Sequence, residues 1–264
     1  MKLGNIAASL LPKSAYRKLS RVYMRVRLFG NTYQCPICGR SSSKFYSAGF
    51  TFPVLKEQEI VGGGFRENIR CPNCGSADRE RLVYLYLKNK AHVDTARFAV
   101  LHVAPEVSLQ RYLKGLSNIT HESIDIGSPH ADKHMDLRAL EYADGLFDIV
   151  ICNHVLEHIQ DDHVAMGEIL RVLKPNGFAI LQVPISLKLK QTFEDPSVIK
   201  PEDRERVFGQ NDHIRIYARD YKDRLVAAGF SVEVLDYQAQ LGEALARKYA
   251  LDPKERLYIA HKPA

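Results

Sequence analysis

The chain has 264 residues, 45% of them hydrophobic and 26% charged, which allows one α/β domain with a small accessory module and excludes a fibrous or disordered class. No apolar run reaches the roughly 18 residues that cross a bilayer, and the run from Ile6 to Leu11 is short for a signal peptide, so we expect a cytoplasmic protein. Of the 37 Lys and Arg residues, seven lie in the first 30 positions, which hold no Asp or Glu. The rest of the chain has 30 basic and 31 acidic residues, so it is nearly neutral.

The first predicted element is a basic amphipathic arm, residues 1–30. Apolar residues recur at three- and four-residue steps over a helix predicted at 13–28, with Arg and Lys between them. This pattern favours peripheral contact with anionic lipid at the inner face of the membrane. Alternatively, the apolar stripe packs on the following module. Because the rest of the chain is nearly neutral, nucleic acid is the less favoured partner.

Residues 31–90 are predicted to form a small zinc module and a linking helix at 78–90. Two matched Cys-x-x-Cys-Gly loops carry the ligands, which are Cys35, Cys38, Cys71 and Cys74. Two such loops supply a closed tetrahedral zinc site, whose role is structural because no coordination position stays open. The long spacer between the loops predicts an inserted hairpin. The alternative is two redox or bystander cysteine pairs.

From residue 91 to 264, predicted strands alternate with helices. The strands are expected at 98–103, 122–126, 147–152, 178–183, 231–235 and 257–260, and the helices at 106–115, 160–173 and 218–228. This alternation predicts a Rossmann-like, doubly wound, mostly parallel α/β sheet, which binds ligands at the carboxyl ends of its strands. A polar insertion at 186–217 is expected to build the substrate site.

The segments Phe147-Asp-Ile-Val-Ile-Cys-Asn-His-Val-Leu-Glu-His-Ile159 and Glu168-Ile-Leu-Arg-Val-Leu-Lys-Pro-Asn-Gly177 resemble class I S-adenosylmethionine-dependent methyltransferases of the type 11 kind. The resemblance covers about residues 97–262. It implies S-adenosylmethionine as the cofactor. The cofactor residues that it implies are Asp125 at the ribose, Asp136 and Leu137 near the adenine, and Asn153 and His154 at the methionine end.

The loop after the first predicted strand departs from that family, which usually has an acidic, glycine-rich loop there. The corresponding positions are His102, Ala104, Glu106 and Ser108. Glu106 is a candidate for binding the methionine ammonium in place of the missing acid. Alternatively, His102 is a hydrogen-bonded core histidine and Asp125 is a turn cap. The short gap between Asp125 and Asp136 predicts that the helix usually found there is reduced or lost.

His213 and His154 are the candidate catalytic residues. His213 lies in the insertion, in a segment that resembles zinc-module bacterial methyltransferases, and a neutral imidazole can take a proton from an acceptor hydroxyl near pH 7. Arg215 is a candidate ligand for a carboxylate or phosphate. The alternative is that Asp212, His213 and Arg215 form a structural cluster of ion pairs and hydrogen bonds.

The stretch His154-Val-Leu-Glu-His158 also fits the H-x-x-E-H pattern of inverted zinc peptidases. That chemistry needs both imidazoles on one face of a helix. Here the stretch begins at the end of a predicted buried strand, so the methyltransferase interpretation is favoured.

The sequence therefore predicts an S-adenosylmethionine-dependent methyltransferase that modifies an O or N atom of a small-molecule, glycan or lipid-linked acceptor. Two alternatives stay open. One is an RNA methyltransferase, similar to the rRNA guanine methyltransferases that carry an amino-terminal zinc module. The other is a zinc-ribbon and Rossmann binding protein without catalysis, which the altered first loop motivates.

Overall fold

The computed structural model describes residues 26–264. Most of the predicted basic arm, and of the helix predicted at 13–28, lies outside the described residues. Across residues 26–264, no helix combines the length and the apolar character that crossing a membrane requires.

The amino-terminal module consists of short strands and one short helix, followed by a longer helix. Its elements are β1 (Tyr33–Gln34), β2 (Ser41–Ser42), β3 (Tyr46–Ala48), α1 (Pro53–Glu57), β4 (Ile60–Val61), β5 (Arg66–Arg70) and α2 (Asp78–Asn89). β1 pairs with β2 and β3 pairs with β5, both antiparallel. The long spacer between the cysteine loops therefore forms the expected strand pair, with the helix α1 inside it.

The following α/β domain begins at β6. Its elements are β6 (Phe98–Val103), α3 (Val107–Lys114), β7 (Ile119–Asp125), β8 (Lys133–His134), β9 (Phe147–Asn153), a 3₁₀ turn (Leu156–His158), α4 (Asp162–Val172), β10 (Leu173–Gln182), β11 (Ile185–Ser186), β12 (Phe193–Glu194), α5 (Pro201–Phe208), β13 (Arg215–Ile216), α6 (Tyr221–Ala227), β14 (Ser231–Leu235), α7 (Tyr237–Leu241), α8 (Glu243–Lys248) and β15 (Leu257–His261).

Seven strands form the central sheet, in the order β14-β15-β10-β9-β6-β7-β8. β8, β7, β6, β9 and β10 are parallel, and β15 runs antiparallel to both β10 and β14. The interiors of β6 and β9 are buried, with helices packed on both faces of the sheet. This confirms the predicted Rossmann-like, mostly parallel α/β fold.

The chain reverses its direction of travel across the sheet between β6 and β9. From β6 it proceeds outward to β7 and β8, then returns to β9 on the other side of β6. A crevice opens at such a switch point, outside the carboxyl ends of the strands. No helix separates β7 from β8, as the short gap between Asp125 and Asp136 predicted.

The module packs directly on the α/β domain. β4 of the module pairs with β11, which begins the insertion at 186–217. Leu55 and Ile60 of the module share an apolar cluster with Phe208 and Ile216 of the insertion. The domain boundaries at residues 30 and 90 stay a prediction, but the insertion and the module form one continuous surface.

Candidate functional site

The four cysteines of the two loops come together in the module. The sulfurs of Cys35 and Cys74 are 3.6 Å apart, those of Cys38 and Cys71 are 3.8 Å apart, and all four lie within 4.8 Å of one another. Tetrahedral zinc with Zn–S bonds of about 2.3 Å separates its sulfurs by roughly 3.8 Å. The donor set therefore fits zinc in both chemistry and spacing.

The electrostatics of this cluster also favour a cation. Hydrogen bonds from Cys35, Cys71 and Cys74 lower the pKa of the Cys38 thiol well below its usual value. Contacts with Cys35 and Cys38 raise the pKa of Cys71 and the pKa of Cys74 above the usual thiol value. Close thiols cannot all ionise together unless a positive ion compensates them, which is what zinc does.

A cavity of 340 Å³ lies at the switch point of the sheet. Sequence-predicted cofactor residues that line it are Ala104, Asp125, Asp136 and Leu137, and His158 lines it from the opposite side. A larger cleft of 650 Å³ lies between the module and α8, but none of the predicted site residues lines it. The smaller cavity, at the carboxyl ends of the strands, is therefore the one that the predicted cofactor residues line, and we call it the cofactor cavity.

Asp125 ends β7 at the rim of this cavity. Its Oδ1 accepts hydrogen bonds from the backbone amides of Gly127 and Ser128, both at 2.7 Å. Among the described residues, its Oδ2 has no hydrogen-bond or ion-pair partner. The turn thus fixes the carboxylate while one oxygen stays free for a pair of ribose hydroxyls, so the turn-cap and ribose interpretations are compatible.

Asp136 lines the same cavity but already has a partner. It forms an ion pair with Arg138, with Oδ2 at 2.7 Å from the guanidinium, and its Oδ1 accepts the Arg138 amide. These hydrogen bonds lower the pKa of the Asp136 carboxyl. The carboxylate retains lone pairs for an adenine amino group, beside the buried Leu137.

Glu106, in the loop after β6, was expected to bind the methionine ammonium, but both of its carboxylate oxygens have partners within the protein. Oε2 of Glu106 is 2.8 Å from Nε2 of His102, and its Oε1 accepts a hydrogen bond from Asn153. Burial opposes ionisation, but the hydrogen bonds with His102 and Asn153 hold the pKa of Glu106 below its ordinary value. None of the three residues lines the cofactor cavity. The geometry favours the core interpretation of His102 and leaves the Glu106–ammonium contact a prediction.

Two residues at strand ends have left-handed backbones without being glycine. Ala104 follows β6 with φ of 46°, and His154 follows β9 with φ of 56°. Such a conformation costs about 1 to 2 kcal/mol in a residue with a Cβ atom, and strain of this kind concentrates at functional sites. At Ala104 the chain therefore makes the turn for which the family resemblance expects glycine.

His154 faces a second, polar pocket of 430 Å³ between the module and the α/β domain. Its Nε2 is buried and has no hydrogen-bond partner among the described residues. A Cβ atom on Gly62 would lie 3.2 Å from that nitrogen, so the glycine loop of the module covers the ring closely. Burial first, and then the charge of Arg79, lower the pKa of His154 well below its usual value.

The polar pocket has a basic side that comes entirely from the module. Arg66, Arg70 and Arg79 line it. Arg66 is paired with Asp78 at 2.8 Å and Asp252 at 3.2 Å. Within residues 26–264, neither Arg70 nor Arg79 has a carboxylate within ion-pair distance. Two guanidinium groups without an ion-pair partner among the described residues, beside a neutral histidine, suit an anionic ligand.

His158 belongs to both cavities, because it lines the cofactor cavity and the polar pocket. The motif around it is not an α-helix: only Leu156–His158 form a 3₁₀ turn, and His154 precedes it in the left-handed conformation. The helical frame that the peptidase interpretation requires is therefore missing here. The two cavities instead meet at one side chain, His158.

His213 and Arg215 are buried behind the polar pocket. His213 is 4% exposed, and burial lowers its pKa to about 4, so it is neutral at pH 7. It does not line the polar pocket. Arg215 donates to the carbonyls of Leu156, Ile159 and Gln160 and pairs with Glu194. This favours the structural interpretation of Arg215; the roles of His213 and His154 as bases stay predictions.

Sequence reasoning gave Glu157 no separate chemical role and missed the arginines of the module. Glu157 is 1% exposed, and neither carboxylate oxygen has a hydrogen-bond partner among the described residues. Burial raises its pKa to about 7. The H-x-x-E-H pattern did mark Glu157. Arg70 and Arg79 gave no signal, because their place beside His154 depends on how the module packs.

Comparisons with known proteins place residues 116–181 in a family described as a methyltransferase domain. No curated protein sequence matches the chain. Among solved structures, the [4+2]-cyclase SpnF is 18% identical with a TM-score of 0.50, covering 70% of this chain and 82% of the other. Two methyltransferases are less similar. That of Burkholderia thailandensis, which acts on 1,6-didemethyltoxoflavin, is 12% identical over 69% of this chain and 76% of its own, with a TM-score of 0.46. The methyltransferase of Mesorhizobium loti, described as S-adenosylmethionine dependent, is 14% identical with a TM-score of 0.41. The match covers 64% of this chain and 92% of the other. Residues 116–181, which span β7 and most of β10 in the Rossmann-like sheet, are therefore similar to a methyltransferase domain.

Proposed function

We propose that this protein is an S-adenosylmethionine-dependent methyltransferase that modifies an O or N atom of an anionic small-molecule, glycan or lipid-linked acceptor. One observation carries the proposal. The cavity with Asp125 and Asp136 at the carboxyl ends of the strands adjoins a polar pocket, and His158 lines both. A methyl donor and an acceptor must meet in line at such a junction.

The cofactor cavity supplies binding and orientation. Bound S-adenosylmethionine brings a methyl group that its positive sulfur has already activated. The free Oδ2 of Asp125 is placed to accept ribose hydroxyls, since its Oδ1 is held by two backbone amides. The left-handed turn at Ala104 brings backbone to the cavity wall.

The polar pocket supplies recognition and a base. Arg70 and Arg79 attract an acidic group on the acceptor, such as a phosphate or carboxylate. His154 is the candidate base for an acceptor hydroxyl or amine, because it lines this pocket and its buried Nε2 has no hydrogen-bond partner among the described residues. His213 lies behind the pocket wall, so His154 is the better placed of the two predicted bases. The zinc module then acts by holding the arginines and the Gly62 loop over His154.

The test is methyl transfer itself, because a [4+2]-cyclase has this fold too. The protein is incubated with methyl-labelled S-adenosylmethionine and separate fractions of small molecules, glycans, lipids and RNA. We expect label in a fraction other than RNA. His154→Asn keeps a residue that tolerates the left-handed backbone and should lower turnover about 100- to 10,000-fold, while the exposed His163→Asn should not. Label in RNA supports the RNA alternative, and cofactor binding without label in any fraction supports the non-catalytic one.

A further inference from the structure

A second cluster of metal-ligating side chains, separate from the cysteine cluster, includes His158, which lines both cavities. It consists of Glu157, His158 and His213, whose ligand atoms all lie within 4.8 Å of one another. The Nε2 atom of His213 is 4.0 Å from Oε1 of Glu157, and the imidazole rings of His158 and His213 are 4.7 Å apart between centroids. Two ligands that each lie about 2.1 Å from one ion are separated by at most about 4.2 Å. The cluster is thus close to metal-binding dimensions.

The state of Glu157 is an independent indication of a cation. This carboxylate is 1% exposed, and neither of its oxygens has a hydrogen-bond partner among the described residues. A buried carboxyl without a donor is costly unless a cation or a proton compensates it. It also contacts His154, whose Nδ1 is 3.5 Å from Oε1 of Glu157.

The surroundings of the two histidines suit metal binding. Asp212 lies 3.4 Å from Nδ1 of His158, and a carboxylate beside a ring nitrogen is the common way to orient a metal-binding imidazole. The side chain of Gln210 contacts Nε2 of His213 and must rotate before that nitrogen can bind an ion. Two imidazoles and one carboxylate with open positions suit a divalent first-row transition metal.

We propose that Glu157, His158 and His213 bind a divalent metal ion, of the class of Mn²⁺ or Fe²⁺, at the border between the cofactor cavity and the polar pocket. Of the three ligands, His158 lines both cavities. An ion there would hold and polarise an acceptor hydroxyl. This site goes beyond the proposed function, because methyl transfer does not by itself require a metal.

The probe is Mn²⁺, titrated into the full-length, zinc-loaded protein and followed by electron paramagnetic resonance of the free ion. Mn²⁺ prefers oxygen and imidazole ligands over thiolates, so the cysteine cluster does not compete. We expect about one Mn²⁺ per chain. Glu157→Gln, which keeps the size of the side chain, and His213→Ala should each weaken binding at least about tenfold. The buried Glu255→Gln and the exposed His163→Ala are matched controls and should leave it unchanged.

A second measurement needs no variant that might fail to fold. Bound Mn²⁺ should broaden the imidazole proton signals of His158 and His213 in the wild-type protein far more strongly than those of His92, which lies at the amino-terminal end of the sheet strands. The proposal is wrong if the wild-type protein binds no Mn²⁺ at millimolar concentration, or if folded Glu157→Gln binds it as tightly as the wild type. Both measurements are made without cofactor or acceptor, so their failure leaves the methyltransferase proposal intact.

Discussion

Single residues in this chain show how burial sets the state of a charged group. Glu255 is 4% exposed; its Oε1 accepts a hydrogen bond from Gln182, while Oε2 has no partner among the described residues. Glu106, in contrast, is held by His102 and Asn153. The sequence predicted a site acid at Glu106, but it could not show that neighbouring strands would supply the acid with two partners. A residue's type is visible in a sequence, whereas its hydrogen-bond partners depend on the fold.

The effect of burial on the charge of Glu255 can be tested by measuring thermal stability at two pH values. Burial, followed by the charges of Asp78 and Asp252, raises its pKa to about 8. Below pH 4.5, the ordinary glutamate pKa, the carboxyl is protonated in both the folded and the unfolded state, so the raised pKa does not change the free energy of unfolding. As the pH rises from 4.5 to about 8, the raised pKa lowers the free energy of unfolding progressively. Glu255→Gln should therefore melt at the same temperature as wild type at pH 4. At pH 9 it should melt at least about 2 °C higher, since roughly 1 kcal/mol shifts Tm by about 2 to 4 °C.

Thermal unfolding followed by circular dichroism at both pH values makes the comparison. Glu243→Gln, an exposed carboxylate on α8, is the control and should show no pH-dependent gain. Equal melting temperatures for Glu255→Gln and wild type at pH 9 would mean that the buried carboxylate is compensated in solution.

At the scale of elements, local pattern predicted the long members and missed the short ones. The apolar runs of β6 and β9 and the periodicity of α4 are visible in the sequence, because each element buries a regular set of its own residues. β4 and β11 have two residues each and exist only because they pair with one another. The same limit applies to the polar pocket, whose arginines and histidines come from elements far apart in the chain.

The cysteine loops make a prediction about metal content. Cys71→Ser removes one of four ligands, so the zinc content should fall from about one per chain to near zero, because a closed structural site needs all its thiolates. Cys152→Ala is the matched control, since Cys152 is buried in the core outside the cluster. Elemental analysis after purification in reducing buffer decides this. Wild-type protein without zinc would contradict the assignment of the module.

Arg81 on α2 joins the module to the end of the chain, and sequence reasoning did not identify it. It is fully buried and donates to the carbonyls of Ile69 and Ser76 on the module side and of Tyr249 and Ala250 on the other. Leaving several buried carbonyls without donors costs about 1 to 3 kcal/mol each. Arg81→Met should therefore lower the free energy of unfolding by roughly 3 kcal/mol or more.

Urea unfolding at pH 7 measures this loss. The control is Arg247→Met on α8, where the arginine is 71% exposed and, among residues 26–264, pairs only with Glu243; it should change stability by less than about 0.5 kcal/mol. If both variants unfold at the wild-type urea concentration, Arg81 does not join the two parts.

For the whole molecule, the notable feature is that module and α/β domain build one site. The sequence separates them by composition, and each was predicted from its own motif. The structure brings the Gly62 loop against His154 and the arginines of the module to the mouth of the pocket. Under the proposed function, the module that carries the cysteines would contribute to acceptor recognition through these residues. The family resemblance alone predicted the cofactor residues in the α/β domain. The cysteine motif of the module predicted a metal site and nothing about methyl transfer.

The basic arm gives a prediction for the whole protein at a surface. Its apolar stripe and six Lys and Arg residues before position 26 should bind anionic lipid, with about 1 kcal/mol for each basic residue near the surface. Co-sedimentation with vesicles of rising anionic content should therefore capture the full chain increasingly, while a folded chain lacking residues 1–25 should stay in the supernatant. Equal capture of both chains would contradict a membrane role for the arm.

The most direct test of the account is the affinity for S-adenosylmethionine, measured by titration calorimetry with the wild-type protein and Asp125→Asn. The amide oxygen of asparagine can keep the turn to Gly127 and Ser128, so the variant removes only the negative charge and the free carboxylate oxygen. Asp195→Asn changes an equivalent turn, in which Oδ1 accepts the Ser197 amide, away from the cavity, and it should bind as wild type does. We predict that wild type binds the cofactor and that Asp125→Asn binds it roughly 30-fold more weakly, which corresponds to about 2 kcal/mol. No binding by wild type, or equal affinity of a folded Asp125→Asn, would contradict the assignment of this cavity to the cofactor.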